Sequence, residues 1–172
     1  MPIIDVHLRR HSLVSNRSFD EVVNRLTATI GRPEMHAFHG ALAAAATADD
    51  LTAAVRGAVG SSGLMEFIRF DAGDVVRKAR GGNGPRILRL VVGNPLIMKD
   101  MAAEVPDAAA YAPVTILVDE RADGVHLSYD AMASLLGPYD SPSATAVARD
   151  LDAQVLRLLA DAAGSTGAAS ER

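Results

Sequence analysis

The sequence predicts an α+β fold, a mostly antiparallel sheet of about five strands with helices on one side. Three observations carry that expectation. Strand patterns at 114–119 and 125–129 flank the polar stretch Ala122-Asp123-Gly124, which is the turn chemistry of an antiparallel hairpin. Apolar residues recur at helical spacing over 18–30 and again from 144 to 162, and two amphipathic helices of this kind must bury their stripes against a sheet. Residues 3–14 alternate, with Ile4, Val6 and Leu8 on one parity and Asp5, His7, Arg9 and His11 on the other. That period of two reads as a strand with one buried and one polar face.

Taken in order, residues 3–14 are the first strand, with Ile4, Val6 and Leu8 turned to the core. Ser18-Phe19-Asp20-Glu21 has the pattern of a capping box and opens a helix over 18–30. Gly31 suits a left-handed position after that helix, and Pro33 bars its continuation. Residues 34–46 favour helix through their alanines, with Gly40 as an interruption. Thr47 starts a new helix that carries Leu51, Ala54, Val55 and Ala58 on one stripe and ends at Gly60. A strand follows at 64–70, a short helix at 72–79, and a Gly-rich loop at 81–85. The apolar run 87–92 is a third strand. Asn94 and Pro95 then supply an N-cap and a first helical residue for a short helix over 96–104. The hairpin comes next, then a helical turn at 131–136, a Pro-containing loop, and the long C-terminal helix. Residues 1–163 read as one domain and 164–172 as a small, polar, flexible tail.

Composition narrows the function classes. A chain of 172 residues is long enough to bury roughly 70% of its unfolded surface. It contains no cysteine, which removes disulfides, thiolate nucleophiles and cysteine-based metal sites. The net charge of −4 is the wrong sign for a nucleic-acid binder. No apolar run approaches the ~18 residues of a membrane span, and no secretory pattern opens the chain. The expectation is a cytoplasmic protein that contacts neither nucleic acid nor membrane. No nucleotide or cofactor fingerprint is present, so the cofactor is unknown from the sequence.

The central stretch resembles a bacterial family known as domain of unknown function 302, also called TT-1751-like. The residues that carry the likeness are Gly93-Asn94-Pro95 between strand and helix, the strand 113–119, Asp123-Gly124, and 125–130 with Ser128-Tyr129. The start at Ser18-Phe19-Asp20-Glu21-Val22 and the segment 67–76 fit it too, so the likeness spans roughly residues 4–160. The resemblance implies a curved sheet backed by helices, similar to the TATA-binding protein, and implies no established activity. Asp71 stands where members of the family often carry His, and the connection 43–60 is longer than theirs. Fold likeness alone does not license DNA binding.

The candidate ligand-binding residues are His7, Arg9, His11, Arg89, Asn94, His126 and Ser128. If Val125 and Leu127 face the helices, His126 and Ser128 share the opposite face with the polar parity of the first strand. Thr115, Asp119 and Arg89 join them by the same reasoning. A face rich in His and Arg suits a small anionic ligand, because Arg offers a fork of donors and His a further one. The bland alternative is a solvated sheet face or a dimer interface. Asn94 opens a helix whose free N–H groups face an anion, or else it merely caps that helix. The leading expectation is a small module that binds a small ligand or a protein partner through this open sheet face, as a homodimer; the alternative is a metal-assisted enzyme. It would use His7, His11, His36 and His39, of which the last two share one helical face.

Overall fold

The computed structural model describes residues 3–164; the expected tail at 164–172 lies outside the described residues apart from Gly164. Five strands form one sheet in the order β1-β5-β4-β3-β2, antiparallel throughout. They are β1 (Arg10–Ser15), β2 (Met65–Asp71), β3 (Ile87–Gly93), β4 (Val114–Arg121) and β5 (Gly124–Asp130). The helices are α1 (Phe19–Thr27), α2 (Met35–Ala44), α3 (Ala48–Ala58), α4 (Ala72–Ala79), α5 (Pro95–Ala102), α6 (Ala108–Tyr111), α7 (Met132–Leu135) and α8 (Pro142–Ala163), with a 3₁₀ turn at Gly137–Tyr139.

The main core lies between one sheet face and helices α1 and α8. Leu88, Leu90 and Val92 of β3, Val114, Ile116 and Val118 of β4, and Val125, Leu127 and Tyr129 of β5 are all buried. They meet Val22 and Leu26 of α1 and Leu151, Val155 and Leu159 of α8. Each such aliphatic side chain contributes roughly 1.5–3 kcal/mol by leaving water. A smaller cluster of Phe38, Val55, Ala58 and Met65 seats α2 and α3 against the start of β2. The other sheet face stays open, with Val14, Ile68 and Phe70 all about half exposed.

Local chemistry sets most boundaries as expected. The Ser18 hydroxyl accepts the Glu21 N–H, but Glu21 pairs with Arg17 and Arg25 rather than returning to the cap. The reciprocal capping box is at Thr47 and Asp50, where each side chain accepts the other residue's backbone N–H. Asn94 caps α5 with Pro95 in its first turn. Helix α2 runs straight through Gly40, whose Cβ position is open, so the predicted interruption is absent. Helix α6 was not anticipated.

Two expectations need correction. The first strand begins at Arg10, and Ile3, Ile4 and Leu8 are exposed. Alternation alone does not make a strand; a partner must supply hydrogen bonds. The partner β5 ends at Asp130, opposite Arg10, and only the Arg9 carbonyl extends the pairing, to Ala131 N–H. Residues 3–8 therefore have no strand beside them. The second correction concerns Gly31, whose backbone is not left-handed. It is glycine for space: a Cβ there would lie 2.0 Å from the Ala58 carbonyl oxygen, and one on Gly60 would lie 2.1 Å from the Thr29 oxygen. The two backbones touch, and both Gly31 N–H and Gly60 N–H donate to Leu64 O at 2.9 Å.

This close approach predicts that Gly31→Ala lowers the unfolding free energy by about 2–3 kcal/mol, as overpacking against immovable backbone does. Urea denaturation measures it, and Gly40→Ala, made in open space, is the control that leaves stability unchanged or slightly raised.

Candidate functional site

The N-terminal candidates meet on the helix side of the sheet. Arg9 is fixed by its backbone: its N–H donates to Ser134 Oγ at 3.0 Å, and its carbonyl accepts from Ala131 N–H at 2.9 Å. His11 lies opposite Tyr129 on the parity that faces the helices. Across from them, Thr145, Arg149 and Ala153 recur every fourth residue along one face of α8. These elements border an open groove of about 640 Å³ that His7, Arg9, His11 and Arg149 line together. Among the described residues neither Arg9 nor Arg149 has a carboxylate within ion-pair distance.

Asp152 also borders this cleft, but its oxygens are committed. It accepts the Tyr129 hydroxyl at 2.6 Å, the Met132 N–H at 2.7 Å and the Ala133 N–H at 3.1 Å. The carboxylate thus caps α7 from another helix and joins it to β5. Burial, and then the Asp152 charge, push the Tyr129 phenol well above its ordinary range. The cleft therefore presents donors to a ligand, and its one carboxylate is occupied with holding the walls.

The remaining candidates are elsewhere. Arg89, His126 and Ser128 lie on the open sheet face, as the parity of β3 and β5 requires. They are not brought together with His7, Arg9 and His11, because His11 has the opposite parity to the one expected and residues before Arg10 leave the sheet. His126 is only 7% exposed. Its Nε2 is 2.8 Å from Asp123 Oδ1, and its Nδ1 is buried without a partner. The hydrogen bond with His126 holds the Asp123 carboxyl below the usual range. Asp119, next to His126 across the strands, pairs with Arg121. Arg89 reaches Thr115 Oγ1 at 3.4 Å.

Asn94 acts as a bolt. Its Oδ1 accepts the Leu96 N–H at 2.9 Å and its Nδ2 donates to Gly63 O at 3.0 Å. It lines a small apolar pocket together with His39. His36 and His39 are on α2, and His39 and the His7–His11 pair line different pockets. Among the described residues no three His, Asp or Glu side chains are grouped to hold a metal ion. Asp71 caps α4 by accepting the Asp74 N–H. No described helix is long and apolar enough to cross a membrane. Sequence reasoning missed Arg149, Thr145 and Asp152, which look like ordinary polar positions of an amphipathic helix until the fold sets them against residues 7–11.

A family model for domain of unknown function 302 matches residues 40–162. The chain belongs to the DUF302 family. Among solved structures, it is similar to the crystal structure of an uncharacterized conserved DUF302 protein from Bacillus stearothermophilus. The two share 13% identity with a TM-score of 0.63, over 89% of this chain and 97% of that one. At that identity the likeness concerns the fold. No curated protein matches the chain. The DUF302 match begins after β1, α1 and the start of α2, so the cleft's His7, Arg9 and His11 lie outside it while Arg149 lies within.

Removing the Asp152 carboxylate strands a phenol and two backbone donors. Asp152→Ala is expected to cost roughly 2–3 kcal/mol and Tyr129→Phe about 1 kcal/mol in urea unfolding. The pH dependence has a definite sign. Because folding raises the Tyr129 pKa, its contribution is complete below the unfolded value near 10 and is lost as pH rises beyond it. The Tyr129→Phe chain should lose less stability above that pH than the parent.

Proposed function

We propose that this DUF302 protein is a cytoplasmic small-ligand-binding module that takes an anionic group in the cleft between residues 7–11 and α8. The observation that carries the reading is that Arg9 and Arg149, neither with an ion-pair partner among the described residues, line one groove with His7 and His11. Two guanidinium forks on opposite walls suit a carboxylate or phosphate, which they bind through paired charge-assisted hydrogen bonds. The imidazoles add donors at the edge. The cleft's volume of about 640 Å³ falls in the range of small-molecule sites. The engagement of Asp152 by three donors leaves that carboxylate no free role as a base, and this favours binding over acid–base chemistry there.

The open sheet face supports a second reading, a homodimer formed through it. Ile68 is 56%, Phe70 49% and Val14 47% exposed there, and apolar side chains on an uncovered sheet face suit a self-complementary contact.

Two measurements test these readings. Inorganic phosphate and citrate, titrated into the protein and followed by amide NMR, should shift resonances of residues 7–11, 134 and 149 in a saturable way. The double substitution Arg9→Gln, Arg149→Gln should weaken that binding at least tenfold, with stability held within about 0.5 kcal/mol because both side chains are exposed. Equal binding by parent and double variant removes the cleft reading. For the dimer, light scattering across dilutions should give twice the chain mass, falling towards the monomer in Phe70→Ser; a monomer at every dilution removes it.

A further inference from the structure

We infer that the pocket between α2, α5 and Pro113 is a second binding site, independent of the anion cleft, for a single-ring aromatic molecule with one polar substituent. Its volume is about 180 Å³. Protein interiors leave few voids larger than a water molecule, and dry apolar cavities of about 150 Å³ accept benzene or xenon. The space is thus of the right size for one ring.

The lining defines the chemistry. Phe38, Leu42, Phe67, Met98 and Met101 supply apolar walls, and the two thioethers adapt to an aromatic guest. Two polar side chains border the space, Asn94 and His39. Asn94 has its oxygen and nitrogen engaged by Leu96 and Gly63, so it offers a guest little. His39 is exposed, as is Pro113, which places them at the mouth. A guest seated with its ring inward thus has His39 as its hydrogen-bonding partner, which selects a phenol-like group over a plain hydrocarbon.

The walls are also built to keep the space. Gly93 at the end of β3 faces Pro113, and a Cβ there would come within 2.9 Å of the proline Cβ. The Asn94 amide ties the start of α5 to Gly63 from behind. Phe67 is the extra residue of a β-bulge between Glu66 and Ile68, and such bulges re-aim side chains.

The test uses the full chain with methionine methyl groups labelled for NMR. Titration with phenol should shift the Met98 and Met101 methyl resonances in a saturable manner, with a Kd of about 1 mM or tighter. Benzene should bind at the same methyls. His39→Ala, an exposed change, should weaken phenol severalfold and leave benzene unaltered. Leu42→Phe, which fills the pocket from its half-exposed rim, should weaken both at least tenfold. If that variant does not fold, Met98→Phe replaces it. Absence of saturable methyl shifts in the parent overturns the site, as do equal affinities in a folded filled variant. A loss of benzene equal to that of phenol in His39→Ala overturns the polar-substituent assignment. Phosphate titration separates this site from the cleft, since phosphate should leave the Met98 and Met101 methyls unmoved.

Discussion

One carboxylate, that of Asp152, ties three elements into a single unit. It sits on α8, receives the phenol of Tyr129 from β5, and takes two backbone N–H groups from α7. Helix α7 is only four residues long and could not stand on its own propensity, since isolated short helices are unstable in water. It exists because a neighbouring helix satisfies its first donors. Ser134 of α7 then binds the Arg9 backbone, so the chain of dependence runs from α8 through α7 to the segment before β1. The far end of α8 is secured as well. The Ser15 hydroxyl donates to Ala163 O at 2.8 Å and Arg17 donates to Ala162 O at 3.0 Å, supplying partners to carbonyls that a helix end leaves bare.

On the open face Asp119 pairs with Arg121, and Asp123 with His126, beside the hairpin turn. On the helix side Arg9 and Arg149 have no ion-pair partner among the described residues, although the chain as a whole is acidic. They line one groove with Asp152, whose carboxylate is held by three neutral donors.

Much of the fold was legible in the sequence because the signals were local. Ser18, Thr47, Asn94 with Pro95, and the Ala122-Asp123 turn fix boundaries through bonds to residues two to four positions away. The parities of β3, β4 and β5 followed from apolar spacing, and with them the open-face location of Arg89, His126 and Ser128. The first strand was misread because alternation over 3–8 carries no information about where β5 stops. Gly31 was misread because its neighbour in space, Ala58, is far away in sequence, and only tertiary contact reveals the crossing. The candidate site was half legible for the same reason: His7, Arg9 and His11 stand out by composition, whereas Arg149 and Asp152 gain meaning only when α8 is laid across β1.

The bulge at Phe67 has an effect on the strand's outer rim. The sheet ends at β1 on one side and β2 on the other; Gly31 bridges the start of β2 by accepting the Glu66 N–H, and beyond it a sheet rim offers backbone groups to another chain. With one extra residue in β2, the pleat changes phase between Glu66 and Ile68, and a straight incoming strand would lose step there. The opposite rim is only six residues long and begins with Arg10, held by Asp130. The molecule therefore meets its neighbours with two poor templates, a safeguard against runaway cross-chain pairing in a protein whose broad sheet face is left uncovered.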